Sequence, residues 1–464
     1  MTFTFHIKLI LRFDYERHRV YKKLIRIQTT LININNDGMF ILIITMKRYC
    51  CILALLVSTS LCDLFLGEKY ESGVVTLGAD RHNGELFYML FHTRDENPTA
   101  PLVWFFEGGP GMSSMHAVFY QNGPFRLNHD LTLRKNEYSF NNIADVLYLD
   151  QPLGTGFSNC SNVSWVPHHE SVIVADLMYF FNAFLDHHPE YSGRPLYLVS
   201  QAYGSHFVLP LARALAKRVI PHANIQGIAL GNAWIRPELQ LSSLASFTKR
   251  NKWCSEFKYI AGLYGYILAS VFIDLDLDVQ AFDLMEMANG ILIGVVHHQF
   301  NRYDTRIKCK TGPCVYNFTD LNHFLDKPEV RRVMGTTDRH FNFTSFEVFR
   351  WLLLKNEYFS DKSDSLIELL ETTHLPIYMF SGMDDWWINT FGLDAFMDSL
   401  HWTGRDQMKA APWRDWYSDG VWQGKYKRYK NLYYVHVQDA GHYVAMDLPS
   451  FTLDLLTRLV YGSS

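Results

Sequence analysis

Several things are scarce in this chain, and each scarcity closes off a class of function. The 464 residues contain no basic stripe, no internal repeat and no low-complexity tract. Without clustered Lys and Arg nothing is available to neutralise a run of phosphates, so nucleic acid is not an expected partner. Hydrophobic residues make up 48% and aromatic residues 15% of the chain, which excludes disorder as its main state. The apolar run 49–61 has 13 residues, too few to cross a bilayer as a helix, so no stable membrane anchor is expected. That run follows Lys47 and Arg48 and ends among Ser58, Ser60 and Cys62. Residues 46–62 therefore read as a secretory signal peptide, with residues 1–45 an additional extension ahead of an initiator at Met46.

Cysteine is also sparse. Four of the seven lie beyond the leader, Cys160, Cys254, Cys309 and Cys314, an even number that permits three pairings in an oxidising compartment. Cys309 and Cys314 stand close enough in sequence to close a small loop. Without residues 1–62 the balance is 34 Lys and Arg against 44 Asp and Glu, a net charge of −10 in place of −4. Sequons at Asn159, Asn162, Asn317 and Asn342 agree with export. A glycosylated protein of the secretory or lysosomal route is the expectation.

What is present is a regular alternation. Apolar runs rich in β-branched and aromatic residues occur at 102–106, 146–149, 196–199, 225–230, 377–380 and 433–437, the pattern of buried strands. Between them, 171–185 and 206–220 carry helical spacing. Such alternation predicts an α/β fold with a mainly parallel sheet flanked by helices on both faces. It lapses from about 237 to 310, which reads as a helical cap insertion walling the crevice at the carboxyl ends of the strands. His297 and His298 fall there, but neighbouring positions on a helix point apart and no further ligand lies three or four residues away. No metal site and no cofactor are expected.

One stretch concentrates the chemistry. The strand Leu196-Tyr197-Leu198-Val199 runs into Ser200-Gln201-Ala202-Tyr203-Gly204, and helical spacing resumes at His206, Phe207 and Leu211. This is how α/β-hydrolases present a nucleophile, yet the apex is alanine, which has no group that can attack a carbonyl.

Five ordered segments extend the likeness: WFFEGGPGMSS (104–114), ADVLYLDQPLGTGFS (144–158), the elbow, FSGMDDWWIN (380–389) and QDAGHYVAMDLP (438–449). Together they resemble the serine carboxypeptidase family, a branch of the α/β-hydrolases, across nearly the whole chain beyond the leader. The 426–442 stretch looks most like the animal vitellogenic-like and retinoid-inducible branches. The resemblance implies that Asp385 and His442 stand at two triad positions, with Asp385 preferred over Asp384, and that Ala202 replaces the nucleophilic serine. Ser200 and Ser205 are not at the apex. The oxyanion donors would be the backbone N–H groups of Gly109 and Tyr203. Recognition of the substrate carboxylate would fall to Glu107, with Gly108 in the same loop, Gln121 and Gln201. There the family has one amide and two acids, and this chain has one acid and two amides. A glutamate at that place repels a carboxylate ligand. Glu107 is therefore expected to fill the subsite itself, held by the amides of Gln121 and Gln201. Met112 stands where the family often has a bridging cysteine, its partner in 340–349 is also missing, and Ala445 replaces a proline. Trp386 and Trp387 are expected as core or crevice wall. The implied role is binding of a peptide or protein by a protein without peptidase activity; the alternatives are an active serine-type carboxypeptidase or acyl-transfer hydrolase with a non-standard nucleophile, and a structural protein that stabilises a partner.

Overall fold

The computed structural model describes residues 4–6, 28–30, 64–81, 83–294, 300–309 and 314–462. The leader read at 46–62, and His297 and His298, lie outside the described residues. The chain divides into two units, Met1–Leu64 and Phe65–Ser464. In the first, the described residues form an antiparallel pair, Thr4–His6 with Gln28–Thr30.

The second unit is built on a ten-stranded sheet. Its strands in chain order are β1 (Tyr70–Thr76), β2 (Glu85–Phe91), β3 (Leu102–Phe106), β4 (Asp145–Leu149), β5 (Pro195–Gln201), β6 (Asn224–Gly231), β7 (Ile377–Gly382), β8 (Arg414–Ser418), β9 (Val421–Tyr429) and β10 (Leu432–Val437). Across the sheet they run β8-β9-β10-β7-β6-β5-β3-β4-β2-β1. The six central strands, from β10 to β4, are parallel, and both margins are antiparallel. β3 and β4 are buried at every position, because a parallel strand covered on both faces must be apolar throughout.

Helices cover both faces. On one, Trp104 of β3 stacks 5.1 Å from Phe181 of the helix Glu170–His187, and Tyr434 of β10 donates to Asp394 of the helix Thr390–Ser399 at 3.0 Å. On the other, Phe380 of β7 meets Phe451 of the helix Pro449–Tyr461. Register decides what emerges at the sheet's end. Phe106 pairs with Ser200, Gln201 with Gly231, Gly231 with Phe380, and Gly382 with Val437. The residues that follow, from Glu107, Ala202, Asn232, Asp385 and His442, therefore leave the sheet at one end. In open parallel sheets that end holds the ligand crevice.

The expected cap consists of three helices, α1 (Pro237–Arg250), α2 (Glu256–Asp274) and α3 (Asp278–Ile293), then a hairpin of Phe300–Asn301 with Asp304–Lys308. α2 lies close on α3 because it presents glycine there: a Cβ on Gly262 would come 2.7 Å from Leu292, and one on Gly265 would come 2.9 Å from Ala288. The helix expected to reach residue 220 stops at Ala216, and Arg218 turns to a positive φ of 57°. A second correction concerns the cysteines. Cys309 and Cys314 are bonded, with Cα atoms 5.8 Å apart, whereas Cys160 and Cys254 are free. Cys160 follows Asn159, which pairs with Glu85 on the β2 margin, and Cys254 follows α1 in the cap. Each half-buried thiol packs into its own part of the core, and burial raises both above the ordinary thiol range.

Candidate active-site crevice

The elbow keeps its strained form. Ala202 leaves β5 with φ at +51°, a left-handed conformation that costs an alanine of order 1 kcal/mol or more. Surrounding contacts hold it there. Ala202 N donates to Gly231 O at 2.9 Å, and Ala202 O accepts from Ser205 N, Ser205 Oγ and Trp234 N. Gly108 packs directly over this turn: a Cβ there would lie 2.7 Å from Gln201 O, 2.9 Å from Tyr203 N and 3.0 Å from Ala202 Cβ. The Glu107–Gly109 loop and the elbow thus form one surface. Gly109 has φ +111°, and neither its N–H nor that of Tyr203 is taken by a backbone acceptor among the described residues. The two serines near the apex are buried and engaged, Ser205 Oγ with Ala202 O at 2.9 Å and with Ser200 Oγ at 3.4 Å.

Asp385 and His442 meet. His442 Nδ1 lies 2.7 Å from Asp385 Oδ2, and both side chains are buried. The carboxylate also accepts from Asn232 Nδ2 at 2.8 Å and from Trp387 N at 2.8 Å. Asp384, the alternative acid, instead faces Arg306 at 3.7 Å. The cap hairpin secures both loops through its backbone. Tyr303 O accepts from His442 N at 2.7 Å, Arg302 O from the N–H groups of Trp386 and Trp387, and Thr305 N donates to Asp384 O. Arg306 sits among Asp304, Asp384 and Asp447. Burial lifts Asp447 to about 6 even though Gly441 N donates to it at 2.7 Å. Trp386 is core, its Nε1 donating to Thr248 at 2.7 Å, and Trp387 stacks on Trp234.

Glu107 is buried, 1% exposed. Its Oε2 accepts from Gln121 Nε2 at 2.7 Å and lies 3.2 Å from His116 Nδ1, and its Oε1 accepts from Gly108 N at 3.2 Å. The expected partnership with Gln201 is not formed. Gln201 ends β5 beside β6, where its Nε2 reaches His442 O at 2.6 Å, and the imidazole of His116 takes its place on Glu107. Gln121 is fixed from behind by Arg126, a buried guanidinium that donates to Gln121 O and, at 3.2 Å, to Ala445 O. Burial brings Arg126 down to about 10.

Comparison with known proteins agrees with this geometry. The serine carboxypeptidase family model matches residues 64–462. The chain belongs to the serine carboxypeptidase family. Among relatives of this family, it is 30% identical over 403 residues to serine carboxypeptidase-like 49 of Arabidopsis thaliana, covering 85% of this chain and 77% of that protein. It is 28% identical over 388 residues to serine carboxypeptidase S10 family member 1 of Dictyostelium discoideum, covering 82% and 91%. The same fold occurs in the prohormone-processing carboxypeptidase Kex1(delta)p from Saccharomyces cerevisiae, with TM-score 0.74 and 22% identity over 85% of this chain and 91% of that one.

Within this serine carboxypeptidase scaffold, Met112 lies opposite Thr344 in an isolated antiparallel bridge, flanked by Ser113 N to Phe343 O at 3.0 Å and Ser345 N to Gly111 O at 2.8 Å. Backbone bonds join the two segments at the place where the family often has a covalent staple, whose loss as a pair is expected from the sequence. Sequence reasoning missed His116, Asn232 and the hairpin at 300–308. The position of Asn232, directly after a strand that ends in Gly231 beside the elbow, was the available signal. Asn159, Asn162 and Asn317 are exposed and Asn342 is half-buried.

Proposed function

We propose that this chain is a serine carboxypeptidase-like protein that does not cleave peptides and acts by binding in the former active-site crevice. The observation that carries the reading is Ala202 at the apex of a strained elbow. With a methyl group where covalent catalysis requires a nucleophile, the acyl-enzyme has no first step. Losing a hydrolase nucleophile removes on the order of 10⁶ in turnover. Ser200 and Ser205 offer no substitute, since both hydroxyls are buried behind the turn and hydrogen-bonded there.

The reading extends to the ligand. Glu107 supplies the anion that a peptide's terminal carboxylate would otherwise provide, and the N–H groups of Gly108 and Gln121 already donate to it beside the imidazole of His116. The crevice is accordingly suited to an internal peptide segment, an amidated end or a protein loop. Three exposed sequons, an acidic composition beyond the leader and the Cys309–Cys314 disulfide support work in a secretory or lysosomal compartment.

A serine-directed fluorophosphonate probe tests the central point. The native protein is expected to remain unlabelled under conditions that label an active serine carboxypeptidase to one equivalent. Stoichiometric labelling would overturn the proposal. Substitutions lining the crevice should also weaken capture of the physiological ligand, and capture unaffected by any of them would assign the binding role elsewhere on the surface.

A further inference from the structure

A cavity of about 710 Å³ lies on the antiparallel margin of the sheet, and none of Glu107, Ala202, Asp385 and His442 lines it. Its volume is that of a small-molecule site. β9 and β10 make the floor. Lys425 pairs with His436 and Lys427 with Tyr434, and residues opposed across antiparallel strands share a face. All four therefore lie toward the helix Thr390–Ser399, whose Asp394 accepts from Tyr434 at 3.0 Å and lies 3.0 Å from His436 Nε2. At Gly424, on which no Cβ fits against His436 O, β9 carries one extra residue against β8. Such a bulge re-aims a side chain. It brings Trp422 into the cavity, where its Nε1 donates to Asp415, the residue opposite Lys425, at 2.9 Å. Trp413, just ahead of β8, closes the wall with its ring 4.5 Å from that of His436.

The charges here are unevenly satisfied. Asp394 and Asp415 are engaged as described, and Asp398 faces Lys409 at 3.7 Å. Neither Lys425 nor Lys427 forms an ion pair among the described residues. Lys425 is exposed, and half-buried Lys427 rests over the rings of Trp413 at 5.1 Å and Tyr434 at 5.9 Å. The two indoles are left 41% and 40% exposed beside these free cations.

A ligand that uses all of these groups has three parts. An anionic group meets Lys425 and Lys427 in charge-assisted hydrogen bonds. A flat face of C–H bonds, such as a sugar ring presents, covers the indoles. Hydroxyls bond to Asp398 and Gln438, because a carboxylate engaged once keeps lone pairs that accept. An aromatic anion would leave the acidic wall unused, and a neutral sugar would leave the lysines unused. We propose that this cavity binds an acidic saccharide, a sugar ring bearing a carboxylate or a sulfate. The site stands apart from the former active site and does not depend on whether that site cleaves or binds peptides.

Calorimetric titration of the purified glycoprotein tests this, with sialyllactose as the carboxylate probe, N-acetylglucosamine sulfate as the sulfate probe, and lactose and benzenesulfonate as controls. At least one acidic sugar should bind with a dissociation constant below about 1 mM and at least about tenfold more tightly than either control. The stronger of the two identifies the anion. Lys425→Gln should weaken that binding by about fivefold and leave lactose unaffected. Trp422→Ala should weaken it by about tenfold. Both positions are exposed, so the thermal midpoint should stay within error of the native value. Absence of binding by both acidic sugars, equal binding of lactose or benzenesulfonate, or affinity indifferent to both substitutions would each overturn the proposal.

Discussion

The two sides of the candidate site have fared differently. On one, Asp385 and His442 are hydrogen-bonded to each other, with Asn232 and Trp387 N on the carboxylate and Tyr303 O on the backbone of the imidazole residue. On the other, the apex carries alanine, and Glu107 is held by Gln121 and His116 while Gln201 turns to His442 O. The contrast teaches that a buried polar group survives on its own hydrogen-bond balance. Removing one partner of the Asp385 network leaves an orphaned buried charge or donor, which is expensive. Alanine at the apex, where residue 202 is buried, leaves no buried polar atom of Asp385 or His442 without a partner.

The largest effect should come from restoring the altered side. Ala202→Ser alone is expected to leave carboxypeptidase turnover near background, because Glu107 still repels the substrate carboxylate. Combining it with Glu107→Asn, Gln121→Glu and Gln201→Glu should raise kcat/KM on a blocked dipeptide by at least about 100-fold over the single variant, the scale of several kcal/mol of removed repulsion. High activity from the single change would show that the subsite does not limit the chemistry.

Next in size is ligand discrimination. Glu107→Gln should tighten a peptide with a free carboxyl end relative to its amidated twin by about tenfold, measured by calorimetric titration, since one charge repulsion of 1.4 kcal/mol equals that factor. Equal affinities would place the peptide terminus away from Glu107.

On the intact side, Asn232→Ala should destabilise the fold by about 1–3 kcal/mol in denaturant unfolding, the cost of leaving one acceptor of a buried carboxylate without its donor. A change within error would mean that the network is not what preserves Asp385 and His442.

The smallest effect is pH dependence of stability. Burial raises Asp150, Asp176, Asp278 and Asp447 to about 6 in the folded chain. Their folded pKa lies above the unfolded one, so the folded state binds more protons between roughly pH 4 and 6, and stability rises as pH falls through that window. Glu170, held near 2 despite its burial by His206 and Lys362, works the other way, and only below about pH 4.5. His206, lowered by burial, opposes the gain as a single group. The thermal midpoint should therefore be higher at pH 5 than at pH 7, and Asp278→Asn should flatten the difference. A higher midpoint at pH 7 would contradict this balance.

Much of this was legible in the sequence, for physical reasons. The six parallel strands announce themselves because burial on both faces forces continuous apolar runs such as LVWFF and LYLV. The margins do not. β9, VWQGKYKRY, is exposed on one face and alternates Lys and Arg with aromatics, so it resembles a surface segment. Asp385 and His442 could be placed from the Gly-Met-Asp-Asp and Ala-Gly-His turns that end their strands. The partners of Glu107 could not. Whether Gln201 turns toward residue 107 or toward His442 O depends on side-chain direction at the end of β5, and His116 comes from a helix whose approach no linear pattern encodes. The free state of Cys160 and Cys254 likewise follows from where the cap and the β2 margin stand in the fold, which a count of cysteines does not reveal.

The central claim is that the missing hydroxyl at position 202 abolishes peptide cleavage. The most direct measurement is mass-spectrometric timing of C-terminal amino-acid release from an unblocked peptide by the purified native glycoprotein at mildly acid pH. The account predicts no release above the no-enzyme control. Release at rates ordinary for an active serine carboxypeptidase would contradict it.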